Sequence, residues 1–281
     1  MTSEPNVSRY YDRHILKPPV WTWEIPAYFF LGGTAGASAV LAALARLAGN
    51  HRLARSATLA ATACIALCPP LLIDDLGRPE RFLNMLRVFR PTSPMSVGTW
   101  ILSLFGGLSS VAAGSELTGV ARPLGRLAEL AAAGLGPALS TYTAALLAQT
   151  SIPAWREARR YLPFLFGAGS AAAAGGLACI TTPASAAGPA RRLAIGAALA
   201  EIAVSKTMER GLGATGEPYR VQAAAPYSRA ALLLMVSGAA VLAGLGRRRP
   251  GAVAGGALIM AGAAATRFMV WKAGDISAAR S

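Results

Sequence analysis

Apolar segments close to 20 residues long recur along this chain, and its ionisable residues crowd into the short stretches between them. A hydrocarbon core about 30 Å thick needs about 20 such residues per crossing, whereas a soluble amphipathic helix carries charge along its outer face. Eight segments have this character: Ile25–Ala48, Ala54–Ile73, Ser96–Leu117, Leu127–Gln149, Tyr161–Thr181, Ala190–Met208, Tyr227–Gly246 and Gly251–Trp271. Glu201 and Lys206 interrupt the sixth. Only 14% of residues are charged, against about 25% in an ordinary soluble domain. The segments lack the two-residue alternation of barrel strands, so helices must satisfy the backbone in lipid. The expected fold is all-α: a polytopic membrane protein of about eight transmembrane helices. Small residues such as those in Gly32-Gly33-Thr34-Ala35-Gly36 allow close helix crossings and a compact bundle.

Residues 25–273 are read as the membrane domain, residues 1–24 as an extramembrane lead-in and 274–281 as a tail. No apolar signal-peptide core precedes the first full-length span, and Pro5, Pro18 and Pro19 punctuate the lead-in. An even span count puts both termini on one face, the terminal face. It receives the long connections Asp74–Met95, Thr150–Arg160 and Glu209–Pro226. The opposite face has short links rich in arginine, among them Arg52, Arg55, Arg122, Arg126, Arg191, Arg192 and Arg247-Arg248-Arg249. Arginine-dense short links favour the cytoplasmic side, which makes the terminal face extracytoplasmic and the location the plasma (inner) membrane. The net charge of +14 is then a topology signal, and nucleic-acid binding is not expected because the basic residues form no stripe with interleaved aromatics.

The two histidines and three cysteines bear on cofactors. Haem held by a histidine pair inside the bundle is excluded, because His14 and His51 both fall outside the spans. Cys64, Cys68 and Cys179 read as small buried residues without the further ligands a metal would need. No haem and no bound metal are expected, so redox chemistry would use a diffusible carrier or a partner's cofactors.

Polar and aromatic residues collect at the terminal face. The first span enters with Trp21, Trp23, Glu24 and Tyr28, the second leaves through Pro69-Pro70 to Asp75, the third begins at Thr99 and Trp100, and the fourth returns with Tyr142 and Gln149. Tyr142 lies about 10 Å inside that boundary at 1.5 Å per residue. An interfacial aromatic belt accounts for Trp21, Trp23, Tyr161 and Tyr227. It accounts less well for Asp75 and Tyr142, since ionisable residues near membrane depth and a tyrosine far from headgroups need partners or a ligand.

Three blocks resemble one family, the NrfD-like or polysulfide reductase membrane subunits. The run from Trp21 to Gly33 resembles its first helix, and Asp75-Leu76-Gly77-Arg78-Pro79-Glu80-Arg81-Phe82 with Pro91–Ser96 and Gly98-Thr99-Trp100 resembles its connection into helix three. Tyr142–Leu147 with Pro153-Ala154-Trp155 resembles its fourth helix and exit. The resemblance is specific over the first 160 residues and afterwards rests on span count and small-residue packing. It implies two four-helix halves, no resident cofactor, and a site for menaquinone or another quinone. It also implies an iron–sulfur (ferredoxin-like) partner relaying electrons to a molybdopterin catalytic subunit.

The family's fourth-helix tyrosine falls on Tyr142. Its histidine and asparagine at the start of helix one are replaced here by Trp21-Thr22-Trp23-Glu24, and Glu24 or Asp75 is the substitute that chemistry suggests. Trp21, Trp23, Tyr28, Arg78, Trp100 and Gln149 complete the set expected around the ring, with Arg78 either holding Asp75 ionised or capping the loop. Glu201 and Ser205 read as proton-path groups, or Glu201 as half of a buried pair with an arginine on a neighbouring helix. The connection Asp74–Met95 reads as a short amphipathic segment whose Arg81, Arg87 and Arg90 either dock the iron–sulfur partner or touch lipid headgroups. The rival functions are a secondary transporter, with helices broken near the midplane at Pro69, Pro70 or Pro137, and a structural anchor without a working quinone site.

Overall fold

The computed structural model describes residues 21–75 and 80–280, and the side chains of these except 80–83. His14, Arg78 and the Arg81 side chain lie outside the described residues. Eight long helical passages form the molecule. They are α1 (Glu24–Leu47), α2 (His51–Ala66) continued by α3 (Cys68–Asp75), α5 (Pro94–Thr118), α6 (Arg122–Ala148), α8 (Leu162–Thr181), α9 (Gly188–Gly211), α10 (Ala225–Leu245) and α11 (Arg249–Ala279). The short helices α4 (Glu80–Arg87) and α7 (Pro153–Glu157), with 3₁₀ turns at Ala158–Arg160, Gly213–Tyr219 and Gln222–Ala224, lie in the long connections.

Local chemistry sets several ends. The Asn50 side chain caps α2 by accepting from the Leu53 amide at 3.2 Å, and Ser93 with Pro94 starts α5. Gly119 stops α5 in the left-handed conformation, φ 73°. The second passage breaks at Leu67, just before Pro69 and Pro70, which have no amide hydrogen to continue the ladder. That break lies toward the terminal end, and α6 runs unbroken through Pro137. The transporter reading therefore gains no mid-depth helix break among the described residues.

The packing has the pattern expected in lipid. Exposed positions on the helices carry Leu44, Leu104, Leu127, Phe164, Leu233 and Val236, while buried positions are largely glycine, alanine and serine. Seven passages have the length and hydropathy of a membrane span. The expected sixth span, α9, is not among them, because Arg191 and Arg192 crowd one end and Lys206, Glu209 and Arg210 the other. It is nevertheless a continuous helix of 24 residues that buries Ala190, Ala194, Ala198 and Glu201 within the bundle. The last helix runs to Ala279 with Ile276, Ser277 and Ala278 buried, so the tail expected from residue 274 is packed helix instead.

Two rings of four emerge. In the first, α1 packs on α2, α2 on α5, α5 on α6 and α6 on α1; in the second, α8, α9, α10 and α11 close in the same order. Each ring closes at a glycine pair. A Cβ on Gly36 would lie 2.4 Å from the Gly136 carbonyl oxygen, and one on Gly256 would lie 2.5 Å from that of Gly176. The backbones of α1 and α6, and of α8 and α11, therefore touch directly. The rings join through α1 and α6 against α8.

Arginine at the short-link face is partly structural. Arg249 donates to the carbonyls of Cys179 (3.1 Å), Ile180 and Thr182 (2.8 Å), covering the last turn of α8, and Arg191 donates to the Gly246 carbonyl at 3.1 Å. Cations suit a helix C-terminus, where carbonyls lack intrahelical partners.

Candidate functional site at the terminal face

The start of α1 and the end of α3 meet at Thr22. Its amide donates to Asp75 Oδ1 at 3.2 Å, and its hydroxyl lies between Asp75 Oδ1, at 3.3 Å, and Glu24 Oε2. Glu24 is buried and Asp75 half-buried. The two carboxylates singled out in the sequence are thus joined by a threonine that sequence reasoning passed over. Neither is a stray charge of an interfacial belt.

An aromatic core lies behind them. Trp21 stacks on Trp155 with centroids 5.5 Å apart and meets Phe29 edge-on at 6.4 Å; Phe29 in turn packs on Tyr28 and Phe166. Trp155, on the short helix α7, is fully buried and donates from its indole to the Val270 carbonyl at 2.7 Å. Its ring rests on Gly274, where a Cβ would come within 2.0 Å. The Trp271 indole donates to the Trp21 carbonyl at 3.2 Å, and the buried Tyr219 hydroxyl donates to the Ala154 carbonyl at 3.1 Å. Burial pushes the Tyr219 phenol well above its ordinary pKa, so it stays protonated. The start of α1, α7 and the end of α11 are locked together at one face. Trp155, Trp271 and Tyr219 had no role in the sequence reading.

Tyr142 is half-buried and packs against the same core. Its ring rests on the backbone of Gly98 at the start of α5, where a Cβ would meet Cε2 at 2.2 Å and Cζ at 2.8 Å. No described residue hydrogen-bonds its hydroxyl. Trp100, two residues further along α5, meets Phe89 edge-on at 6.2 Å, and its buried indole N–H has no partner among the described residues.

Other expected members stand apart. Trp23 is 56% exposed, and Gln149 is exposed at the end of α6. The connection after Asp75 does form the short helix expected, with Met85 and Leu86 half-buried and Arg87 exposed; Arg90 is exposed just beyond it.

Glu201 lies elsewhere, deep in the second ring. It is 2% exposed, its carboxyl oxygens have no hydrogen bond, and Arg267 of α11 is its electrostatic partner. Arg267 is 1% exposed, donates to the Phe166 carbonyl at 2.7 Å and Ser170 Oγ at 3.2 Å, and stacks on the Phe166 ring at 4.1 Å. A cavity of about 20 Å³ runs beside Glu201, Ser205, Lys206 and Glu209, large enough for one water.

Cys64, Cys68 and Cys179 are free and buried, and Cys68 Sγ donates to the Cys64 carbonyl at 3.4 Å. Among the described residues no three His, Cys, Asp or Glu side chains converge as metal ligands.

Two helical rings with leucines exposed on their outer positions define a multi-pass membrane protein. The family described as Polysulphide reductase, NrfD matches residues 14–203, well over half of the chain, and the protein belongs to it. It is therefore the membrane subunit of a multi-subunit complex of the polysulphide reductase type. The match covers the first ring, α8 and most of α9, beyond the three blocks that carry the resemblance. No curated protein matches the chain.

Proposed function

We propose that the terminal-face cluster binds a quinone or quinol and exchanges its electrons with an iron–sulfur subunit, which relays them to a molybdopterin catalytic subunit. Tyr142 carries this reading: a ring seated on Gly98 and packed against the aromatic core, with its hydroxyl left unpaired by the described residues. Oxidation of a quinol releases two electrons and two protons, so both ring oxygens need hydrogen-bond partners and a proton route. Tyr142 donates to one oxygen, and the Trp100 indole, unpaired among the described residues, is a second candidate donor at the same end of α5. Asp75 accepts a proton from the other. The Thr22 hydroxyl has one hydrogen and contacts both carboxylates, so it passes a proton from Asp75 to Glu24 by donating to one while accepting from the other.

The neighbouring helix α4 and the Arg87–Arg90 segment supply the docking surface for the iron–sulfur partner, and the exposed Phe89 beside Trp100 ties that surface to the site. In this reading the terminal face is extracytoplasmic and the quinone comes from the membrane pool.

The decisive measurement is quinol-dependent reduction of the iron–sulfur clusters in the assembled complex. Tyr142→Phe keeps the ring and removes only the hydroxyl, and should lower the rate by roughly 100-fold, in the range of one lost general-acid or hydrogen-bonding group. An unchanged rate with the complex intact rejects Tyr142 as the quinone's partner.

A further inference from the structure

At the opposite face the first ring opens into a polar pocket of about 300 Å³ between the ends of α1, α2, α5 and α6. Its floor is an ion cluster. Arg46 Nε donates to Glu129 Oε1 at 2.8 Å, and its second nitrogen bridges Glu129 at 2.7 Å and Glu116 at 2.9 Å. Glu129 also accepts from Thr58 at 3.0 Å. The rim is formed by Arg55, Arg122 and Arg126, all exposed and none hydrogen-bonded or ion-paired within the described residues. Four arginines face two glutamates, so the pocket carries net charge +2 with His51 neutral. Arg46 already neutralises part of the acidic floor, and the rim guanidiniums are left to face an incoming anion.

Arg55 also lines a second space. An apolar groove of about 590 Å³ runs from Arg52 and Arg55 along Ser56, Leu59 and Ala63 of α2 to Leu67 at its end, with Leu177 of α8 on its far wall. From Arg55 to Leu67 the groove extends about 18 Å at 1.5 Å per residue, enough for an acyl chain crossing half of a ~30 Å hydrocarbon core. Its long axis runs along the membrane-spanning helix, and at its charged end Arg55 is shared with the lining of the polar pocket.

We propose that this pocket and groove together bind one anionic phospholipid, its phosphate on Arg55, Arg122 and Arg126 and one acyl chain along α2. Guanidinium forks suit phosphate oxygens, and basic pockets between membrane helices suit lipid headgroups. The shared ligand chemistry is a phosphate ester. The groove, which a free phosphate has no use for, selects the lipid.

Native mass spectrometry of the detergent-solubilised chain tests the site, with dioleoyl phosphatidylglycerol, dioleoyl phosphatidylcholine and inorganic phosphate as separate probes. One phosphatidylglycerol should bind saturably, at least about tenfold more tightly than phosphatidylcholine, given two net positive charges at the site. Arg55→Gln with Arg122→Gln and Arg126→Gln should abolish that preference. Ala63→Trp, at an exposed position in the groove, should weaken phosphatidylglycerol and leave inorganic phosphate unaffected. Equal retention of both lipids by the wild-type chain overturns the proposal, and that comparison stands even if the triple variant fails to fold. Displacement of phosphatidylglycerol by inorganic phosphate, with no effect of Ala63→Trp, makes this a free-anion site and also overturns it.

Discussion

Gly98 lies so close under Tyr142 that a single methyl group on it would sit 2.2 Å from the tyrosine Cε2. The contact is with the rigid ring, so Gly98→Ala must push the whole side chain aside. If Tyr142 positions a quinone, the variant should lose quinol-dependent cluster reduction by roughly 10- to 100-fold, as misplacement by about 1 Å does elsewhere. Gly98→Ala in a Tyr142→Phe background should then cost little more. Full activity of Gly98→Ala would separate this tyrosine from the reaction.

Trp155 is the tie between both ends of the membrane domain, stacked on Trp21 and bonded to α11. Trp155→Phe should lose about 1 kcal/mol for the missing hydrogen bond. Trp155→Ala should lose about 3–5 kcal/mol, because the cavity left beside Gly274 cannot close. Thermal unfolding in detergent separates the two variants, and a small effect of the alanine would show that the short helix α7 is peripheral.

Much of this was legible from spacing. Apolar length alone placed the helices, and the meeting of Glu24 with the Asp75 end of the second passage could be read because each lies a countable distance from a helix end. Thr22 was not legible, since a threonine beside a carboxylate reveals nothing of the Asp75 it reaches 53 positions away. Nor was Trp155, which the sequence places in a loop; only the fold brings α11 over it. The sixth passage was blurred for an electrostatic reason. Charges gathered at both ends of α9 lower its hydropathy, while its buried alanine stripe makes it a full member of the second ring.

Arg249 holds three carbonyls at the end of α8, a role hidden inside a run of three arginines. Arg249→Met leaves those groups without their charged donor and should cost about 1.5–3 kcal/mol. Arg247→Met, which makes none of these bonds, should cost less than about 0.5 kcal/mol. Equal melting temperatures for the two variants would reduce all three arginines to topology signals.

The paired rings bring Trp21 and the end of α11 to one face, and the arginine-dense links on the other predict that this face is extracytoplasmic. Single cysteines introduced at Ser3 and Ser281 should both react with a membrane-impermeant maleimide added to intact cells. Labelling of only one would break the even count of passages. Labelling of neither before lysis would reverse the orientation.

Glu201 and Arg267 distinguish a structural pair from a proton route by their variants. Arg267 is anchored on Phe166 and Ser170, so its charge stays in place when the carboxylate changes. If the pair serves stability alone, removing either charge should destabilise by about 3–5 kcal/mol, and Glu201→Gln with Arg267→Met together should restore most of the loss. Glu201, however, makes no hydrogen bond of normal geometry among the described residues and borders a small cavity also lined by Ser205, Lys206 and Glu209. That arrangement predicts a further effect. Glu201→Gln, nearly isosteric and still folded, should slow proton exchange between the quinol reaction and bulk water, seen as a larger solvent isotope effect on turnover. Ser205→Ala should act in the same direction, although Ser205 makes no contribution to the pair. Turnover and isotope effect unchanged in both variants, with stability lost only in the first, would leave Glu201 a structural counter-ion.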